Sequence, residues 1–135
     1  MREPQNVELA AVKSAFFVYA YMAKQKYTFI DLFAGAGGLS EGFMQSGRFE
    51  GLAHVEWEMP MVNTLRHRLV QRWNHSENEA RERVICFDMQ KTEELLYGNW
   101  SEQSIQKYGK DNDEKVIKYG LKGLIGDTNV DVIIG

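Results

Sequence analysis

The sequence contains a single cysteine, Cys86, among its 135 residues. One thiol cannot form an internal disulfide or a multi-thiolate metal site, so both are excluded. Histidines and carboxylates show no metal-ligand spacing either, and we therefore expect no bound metal. This low cysteine content suits a reducing compartment and leads us to expect a cytoplasmic, intracellular protein.

An excess of positive charge is also missing. The 16 Lys and Arg residues are outnumbered by 19 Asp and Glu residues, which gives a formal charge of -3. A self-sufficient nucleic-acid binder carries a strong basic patch or a positive net charge. Any contact of this chain with DNA would therefore need a local patch or a partner.

Long hydrophobic runs are absent as well. Residues 15–23 form an uncharged apolar run of nine residues, whereas a helix that crosses a bilayer needs about 20. The run lacks a basic n-region before it and a small-residue cleavage site after it, so we expect neither membrane insertion nor a signal peptide. We predict instead a helix over residues 7–24 that docks on the domain, with a dimer or partner helix as the alternative.

The sequence has enough apolar side chains for one domain, since 44% of its residues are hydrophobic and 12% are aromatic. Runs rich in β-branched and aromatic residues alternate with helical periodicity. The predicted strands are residues 27–33, 51–57, 83–87 and 130–134; the predicted helices are residues 39–45, residues 59–73 and a helix capped by Asp113 that runs through Val116, Ile117, Leu121 and Leu124. Residues 74–83 are predicted to be an exposed connection. This alternation predicts an α/β fold with a parallel sheet and right-handed crossovers.

In such a sheet, a ligand lies beyond the carboxyl ends of the strands. The informative residues fall there: Gly35, Gly37 and Gly38 after the first strand, Glu56 and Trp57 after the second, and Asp88 and Met89 after the third. Glycines let a ligand approach the backbone closely. Glu56 follows Gly35 by 21 residues, a spacing suited to hydrogen bonds with the two hydroxyls of a ribose. Trp57 offers a surface for a purine and Asp88 an acceptor for an amine, so the set predicts an adenosine site.

The glycine spacing separates two classes of adenosine cofactor. A dinucleotide fingerprint requires Gly-x-Gly-x-x-Gly, but the sixth position counted from Gly35 is Ser40. Pyrophosphate binding is therefore disfavoured, and with it a nicotinamide-dependent dehydrogenase. A smaller zwitterionic tail packed on glycine backbone, as in S-adenosylmethionine, fits the turn better.

Residues 29–43, Phe-Ile-Asp-Leu-Phe-Ala-Gly-Ala-Gly-Gly-Leu-Ser-Glu-Gly-Phe, resemble the first signature motif of the C5-cytosine-specific DNA methyltransferases. The resemblance implies a Rossmann-like methyltransferase fold, with an incomplete parallel sheet of about four strands in the order 3-2-1-4. It implies S-adenosylmethionine as the cofactor and S-adenosylhomocysteine as its product. The implied cofactor-binding residues are Phe33, Ala34, Gly35, Gly37, Gly38, Leu39, Glu56, Trp57, Asp88 and Met89. In the family, this loop wraps the methionine part, while Phe33 would pack on adenine, Glu56 would bind the ribose and Asp88 the adenine amine.

Residues 130–135 resemble the strand that enters the family's fourth motif, but the Pro-Cys-Gln loop of that motif does not occur in the sequence. The chain thus resembles the N-terminal half of the catalytic domain. Residues 1–26 would be a helical extension, and residues 27–135 the first part of the S-adenosylmethionine-binding domain. We expect no catalytic residue in this chain, no activity from it alone, and DNA binding through the missing C-terminal half. A complementary polypeptide or self-association would complete the domain. The alternative function is a non-catalytic or split-enzyme module that binds S-adenosylmethionine.

The remaining reactive and charged residues have simpler interpretations. Cys86 is predicted to be a small core residue, because it lies inside a strand without a Pro-Cys context. His54 is predicted to be a packed core histidine. A group of basic residues is predicted to be solvated surface rather than a contact with DNA phosphates, namely Arg66, His67, Arg68, Arg72 and His75. Asp31 either supports the glycine-rich turn or faces the cofactor.

Overall fold

The computed structural model describes residues 4–135. In chain order, its elements are α1 (Pro4–Lys24), β1 (Tyr27–Asp31), α2 (Gly38–Gln45), β2 (Phe49–Glu56), α3 (Met59–Trp73), α4 (Glu77–Arg83), β3 (Val84–Cys86), α5 (Thr92–Tyr97), α6 (Glu102–Tyr108), a 3-10 turn (Gly109–Asp111), α7 (Glu114–Ile125) and β4 (Val132–Ile134). Strands and helices alternate through β3, as the sequence predicts for an α/β fold.

The four strands form one parallel sheet in the order β3-β2-β1-β4, which confirms the predicted topology. The register between β1 and β2 shifts once, because Phe29 lies opposite Gly51 and Ile30 lies opposite Ala53. Leu52 is therefore an extra residue of β2 at this point, a β-bulge. Within the described residues β4 pairs only with β1, so its outer side is an edge of the sheet.

The hydrophobic core lies where α2, α3, α4 and α7 contact the sheet at β2. On α3, Val62, Leu65 and Leu69 recur at three- and four-residue steps, and all three are buried, as the periodicity predicts. From the sheet, Phe29 and Val55 are buried against them. Each such side chain contributes roughly 1.5 to 3 kcal/mol by leaving water, so this layer holds the strand ends in place.

The helix predicted over residues 7–24 is present as α1, but the prediction that it docks on the domain is wrong. Its large apolar side chains remain exposed, with Phe16 at 69%, Phe17 at 75% and Tyr19 at 73%. The physical reason is their distribution: successive apolar residues occupy every side of the helix, so no single stripe can face the sheet. Among residues 4–135, no helix is both long and apolar enough to cross a membrane.

The segment predicted as an exposed connection, residues 74–83, is largely exposed as predicted, but most of it forms α4 rather than irregular structure. Ser76 accepts a hydrogen bond from the Glu79 backbone, and the Glu79 side chain accepts one from the Ser76 backbone. This reciprocal pair is a capping box, which stabilises a helix start even where apolar residues are few. Ala80, 1% exposed, is the small residue through which α4 packs on the core.

After residue 90, where the sequence predicts only the helix capped by Asp113, the structure contains α5, α6 and α7. The Asp113 side chain accepts a hydrogen bond from the Lys115 backbone and caps α7, as predicted. Gly120 interrupts α7 with a φ of +63°, and a Cβ added there would lie 2.5 Å from the Gly98 backbone nitrogen. The contact between α5 and α7 therefore requires glycine at positions 98 and 120, because the two backbones touch there and leave no room for a side chain.

Candidate cofactor-binding site

A cavity of about 250 Å³ lies at the carboxyl ends of β1, β2 and β3. Its lining consists of Leu32, Phe33, Val55, Glu56, Trp57, Phe87, Asp88, Met89 and Gln90. Five of the residues predicted from the sequence are among them, contributed by three separate strand ends. The other four lining residues, Leu32, Val55, Phe87 and Gln90, were not predicted from the sequence, although each directly adjoins a predicted residue. A larger cavity of about 610 Å³, beside Tyr19 and Tyr27, holds no residue of the predicted site.

Two aromatic rings give this cavity its apolar walls. Phe33 and Trp57 are 64% and 61% exposed, so their rings are open to a ligand at the cavity. Val55 and Phe87 are buried beneath the same cavity. Exposed aromatic faces above a buried apolar floor suit a flat heterocycle such as a purine.

Glu56 is the central polar residue of the cavity. Its Oε2 accepts a hydrogen bond from the Gly35 N–H at 2.9 Å, and its Oε1 accepts from the N–H groups of Trp57 at 2.9 Å and Glu58 at 3.0 Å. A carboxylate offers about four lone-pair positions, so it can still accept from a ligand hydroxyl. Glu56 therefore also ties the end of β2 to the turn after β1, a contact between distant residues that the sequence analysis missed.

Asp88 and Gln90 supply the other polar groups of the cavity. The Asp88 Oδ1 accepts a hydrogen bond from the Gln90 N–H at 2.9 Å, and the Asp88 carbonyl accepts from the Lys91 N–H at 3.1 Å. These bonds fold the segment after β3 into a tight turn. The turn keeps a carboxylate and an amide side chain at the cavity wall, where they could recognise an amine and a ring nitrogen.

The glycine loop, residues 32–37 between β1 and α2, lies beside the cavity. Of the other predicted residues, Ala34, Gly35 and Gly37 belong to this loop, whereas Gly38 and Leu39 begin α2; none of the five lines the cavity. Gly35 and Gly37 have φ values of +54° and +90°, and a Cβ on Gly37 would lie 2.4 Å from a Leu65 methyl carbon. The loop conformation thus requires glycine at these positions.

A fully buried polar network lies under the glycine loop. The Asp31 carboxylate accepts hydrogen bonds from the Phe33 N–H at 3.2 Å and from the Ser40 hydroxyl at 2.7 Å. Ser40 Oγ is also 2.8 Å from Nδ1 of His54. Of the two interpretations of Asp31, the structure favours support of the loop, and His54 is confirmed as a core residue because it is 0% exposed.

Acid should destabilise the protein through His54. Burial lowers the pKa of His54 from 6.5 to about 3, with smaller repulsion from Arg83 and His75. A lowered folded-state pKa contributes stability above pH 6.5, and this stability is lost as the pH falls toward 3, by up to about 1.4 kcal/mol per pH unit. Urea unfolding at several pH values should show this slope, and His54→Asn should reduce it. An unchanged slope would contradict the assignment; the exposed His67 provides the matched control, His67→Asn.

Cys86 is confirmed as a core residue, since it is 2% exposed. Its Sγ lies 3.6 Å from the Trp57 carbonyl oxygen, and its backbone N–H and C=O bond to the Asn112 side chain, each at 2.8 Å. Burial raises the pKa of the thiol to about 11, with Asp111 contributing. A nucleophilic thiol needs the opposite shift, so the surroundings of Cys86 do not favour its thiolate.

The prediction that the basic residues are only solvated surface is wrong for Arg66. Its guanidinium donates hydrogen bonds to the carbonyl oxygens of Val84 and Asp111, both at 2.7 Å, and so joins α3 to β3 and to the turn after α6. Arg72 donates to Glu41 at 2.9 Å. Periodicity placed these residues on the polar side of a helix but could not show which backbone carbonyls face them. Within residues 4–135, His, Cys, Asp and Glu form no group of three placed to hold a metal ion.

Comparisons with known proteins identify the family. The family model described as C-5 cytosine-specific DNA methylase matches residues 27–114, which include β1, β2, β3 and every residue that lines the cavity. No curated protein and no solved structure gives a significant match. The family match covers well over half of the sequence and agrees with the sheet order 3-2-1-4. The chain therefore belongs to the C-5 cytosine-specific DNA methylase family, as its first motif predicts.

Proposed function

We propose that this chain binds S-adenosylmethionine and serves as the cofactor-binding half of a DNA cytosine-5 methyltransferase. The observation that carries the proposal is the convergence of Phe33, Glu56, Trp57, Asp88 and Met89 on one cavity. These residues come from three strand ends and were selected from the sequence for adenosine chemistry. The glycine loop contributes Leu32 and Phe33 to the same cavity.

The residues present fit the chemistry of the cofactor. Phe33 and Trp57 offer exposed aromatic faces to adenine. Glu56 is proposed to accept hydrogen bonds from the ribose hydroxyls, and Asp88 to accept one from the adenine amine. The glycine loop, with its two left-handed glycines, is proposed to receive the methionine end. S-adenosylmethionine, when bound, supplies a methyl group activated on its sulfonium.

The nucleophile and the DNA-binding surface are proposed to be supplied by another polypeptide segment. The 135 residues contain no Pro-Cys dipeptide, and their one cysteine is buried. The net charge of -3 gives no general attraction to DNA. We therefore place DNA binding and the nucleophile in a complementary polypeptide segment, either a continuation of the chain or a separate subunit. The unpaired side of β4 is where such a segment would extend the sheet.

Calorimetric titration with S-adenosylhomocysteine tests the cofactor assignment. Glu56→Ala should weaken binding by roughly 1 to 3 kcal/mol, or about 5- to 150-fold, through the loss of charge-assisted hydrogen bonds. Part of this loss should come from the freed Gly35 N–H, because Glu56 also holds the glycine loop. Glu56→Gln, which keeps one acceptor oxygen, should fall between the wild type and Glu56→Ala.

Glu58 provides the matched control, because it is the exposed glutamate two residues further on. Glu58→Ala should leave the affinity within about twofold of the wild-type value. A wild-type chain that folds but binds neither S-adenosylhomocysteine nor S-adenosylmethionine would refute the proposed function. If the wild type binds tightly and Glu56→Ala does not change the affinity, only the proposed role of Glu56 would be refuted.

A further inference from the structure

The buried network of Asp31, Ser40 and His54 joins three elements at one point. Ser40 lies in the first turn of α2, Asp31 ends β1 and His54 lies in β2. All three residues are 0% exposed, and the Ser40 Oγ lies 2.7 Å from the Asp31 Oδ2 and 2.8 Å from the His54 Nδ1. A single hydroxyl in α2, the helix after the glycine loop, therefore connects this helix to β1, which precedes the loop, and to the neighbouring strand β2.

The hydrogen-bond direction follows from the groups themselves. The Asp31 carboxyl oxygens accept from the Phe33 N–H and from the Ser40 hydroxyl, so the single hydroxyl proton of Ser40 is donated to Asp31. The His54 Nδ1 must then carry the proton that it donates to Ser40. The His54 Nε2 then carries no proton and can only accept. It is buried and has no hydrogen-bond partner in the described part of the chain. A Cβ added to Gly51 would lie only 2.7 Å from it. The histidine is thus held neutral and in one tautomer.

Packing and hydrogen bonds together hold the glycine loop. Ala34 is buried and Gly37 lies against Leu65, whereas a Cβ built on Gly35 meets no atom within 4 Å. The loop backbone is also held by bonds to the side chains of Asp31 and Glu56, and by the bond from the Ala34 N–H to the Val55 carbonyl. Asp31 can hold the Phe33 N–H in place only if its own orientation is fixed, and Ser40 fixes it.

We propose that Ser40 and His54 are positioning residues that fix the glycine loop and thereby set the affinity for the amino-acid end of the cofactor. This inference rests on the proposed function, since it assumes that the loop receives the methionine part. Neither residue touches the cavity, and both act through Asp31. The network reaches the cavity through the backbone N–H of Phe33. The other residues proposed to hold the adenosine end, Glu56, Trp57 and Asp88, make no side-chain hydrogen bond to the network within residues 4–135. The network should therefore affect the amino-acid end of the ligand more than the adenosine end.

Two ligands measured by calorimetry separate positioning from a general structural role. S-adenosylhomocysteine carries the amino-acid end, whereas 5′-methylthioadenosine keeps the nucleoside and lacks that end. Ser40→Ala should raise the dissociation constant for S-adenosylhomocysteine at least tenfold and that for methylthioadenosine less than twofold. His54→Val should behave in the same way. His54→Asn should bind like the wild type, because the asparagine amide can donate from the position of Nδ1.

Ser104→Ala provides the matched control, because Ser104 is also a fully buried, hydrogen-bonded serine but lies in α6. It should leave the ratio of the two dissociation constants unchanged. Should Ser40→Ala fail to fold, Ser40→Cys, which keeps a weak donor of similar size, should shift the same ratio by a smaller factor. Equal weakening of both ligands, or no weakening in a folded variant, would overturn the inference. A wild-type chain that binds neither ligand would instead refute the proposed function, and this inference with it.

Discussion

Incubated with DNA and labelled S-adenosylmethionine, this chain alone should transfer no methyl group. Carbon C5 of cytosine is a poor nucleophile until a thiolate has added to C6, so the reaction requires a positioned, ionised cysteine. The chain's one cysteine, Cys86, is 2% exposed, and its pKa is raised to about 11. At pH 7, only about one thiol in 10,000 would be ionised, and a buried group cannot reach a flipped base.

Activity should appear when the chain is mixed with a polypeptide that supplies the missing parts. The C-terminal half of a C-5 cytosine-specific DNA methylase, which carries the Pro-Cys-Gln loop and the target-recognition region, is the partner to use. Cys86→Ser should retain the restored activity within about twofold, whereas Glu56→Ala should reduce it by the factor found for binding. Label incorporated by this chain alone and lost in Cys86→Ser would mean that Cys86 is the nucleophile after all.

The parallel sheet could be predicted from the sequence because its strands are locally encoded. The run from Tyr27 to Asp31 is β-branched and aromatic, and Gly35 and Gly37 end it with a turn that only glycine allows. On α3, the spacing of Val62, Leu65 and Leu69 predicted both the helix and the side of it that is buried. Right-handed crossovers then left few possible strand orders. The cavity followed from the same logic, since parallel strands bring their carboxyl ends to one edge.

The features that sequence analysis missed depend on contacts between distant residues or on capping. The helix α4 lacks large apolar residues, and its signal was the Ser76 and Glu79 capping box, which periodicity does not detect. The exposure of α1 was missed although its sequence held the signal, because apolar residues on every side of the helix leave no single stripe to face the sheet. Glu56 was predicted to bind a ligand, yet its contact with Gly35 spans 21 residues and was not foreseen. Long-range hydrogen bonds leave no local pattern.

Asn112 is the long-range contact whose removal should cost the most stability. Its side chain accepts a hydrogen bond from the Cys86 N–H and donates to the carbonyl oxygens of Cys86 and Tyr108, at 2.8 to 2.9 Å. Cys86 ends β3, the edge strand, so the amide takes the place of a neighbouring strand there. Asn112→Ala leaves these buried backbone groups without partners, at about 1 to 3 kcal/mol each. We expect a total loss of about 3 to 5 kcal/mol in urea unfolding, a large part of the stability of a domain of this size.

Two further variants decide whether hydrogen bonding by Asn112 is the cause. Asn112→Asp has the same shape and keeps the acceptor for Cys86 N–H, but at neutral pH it presents a carboxylate oxygen to two carbonyl oxygens. It should therefore be at least as unstable as Asn112→Ala at pH 7, and should regain stability as the pH falls and the carboxyl group gains a proton to donate. Asn63, exposed on α3, is the matched control, and Asn63→Ala should change the stability by no more than about 0.5 kcal/mol. Equal stability of Asn112→Asp and the wild type at pH 7 would show that the two donated bonds are dispensable and that Asn112 only fills space beside β3.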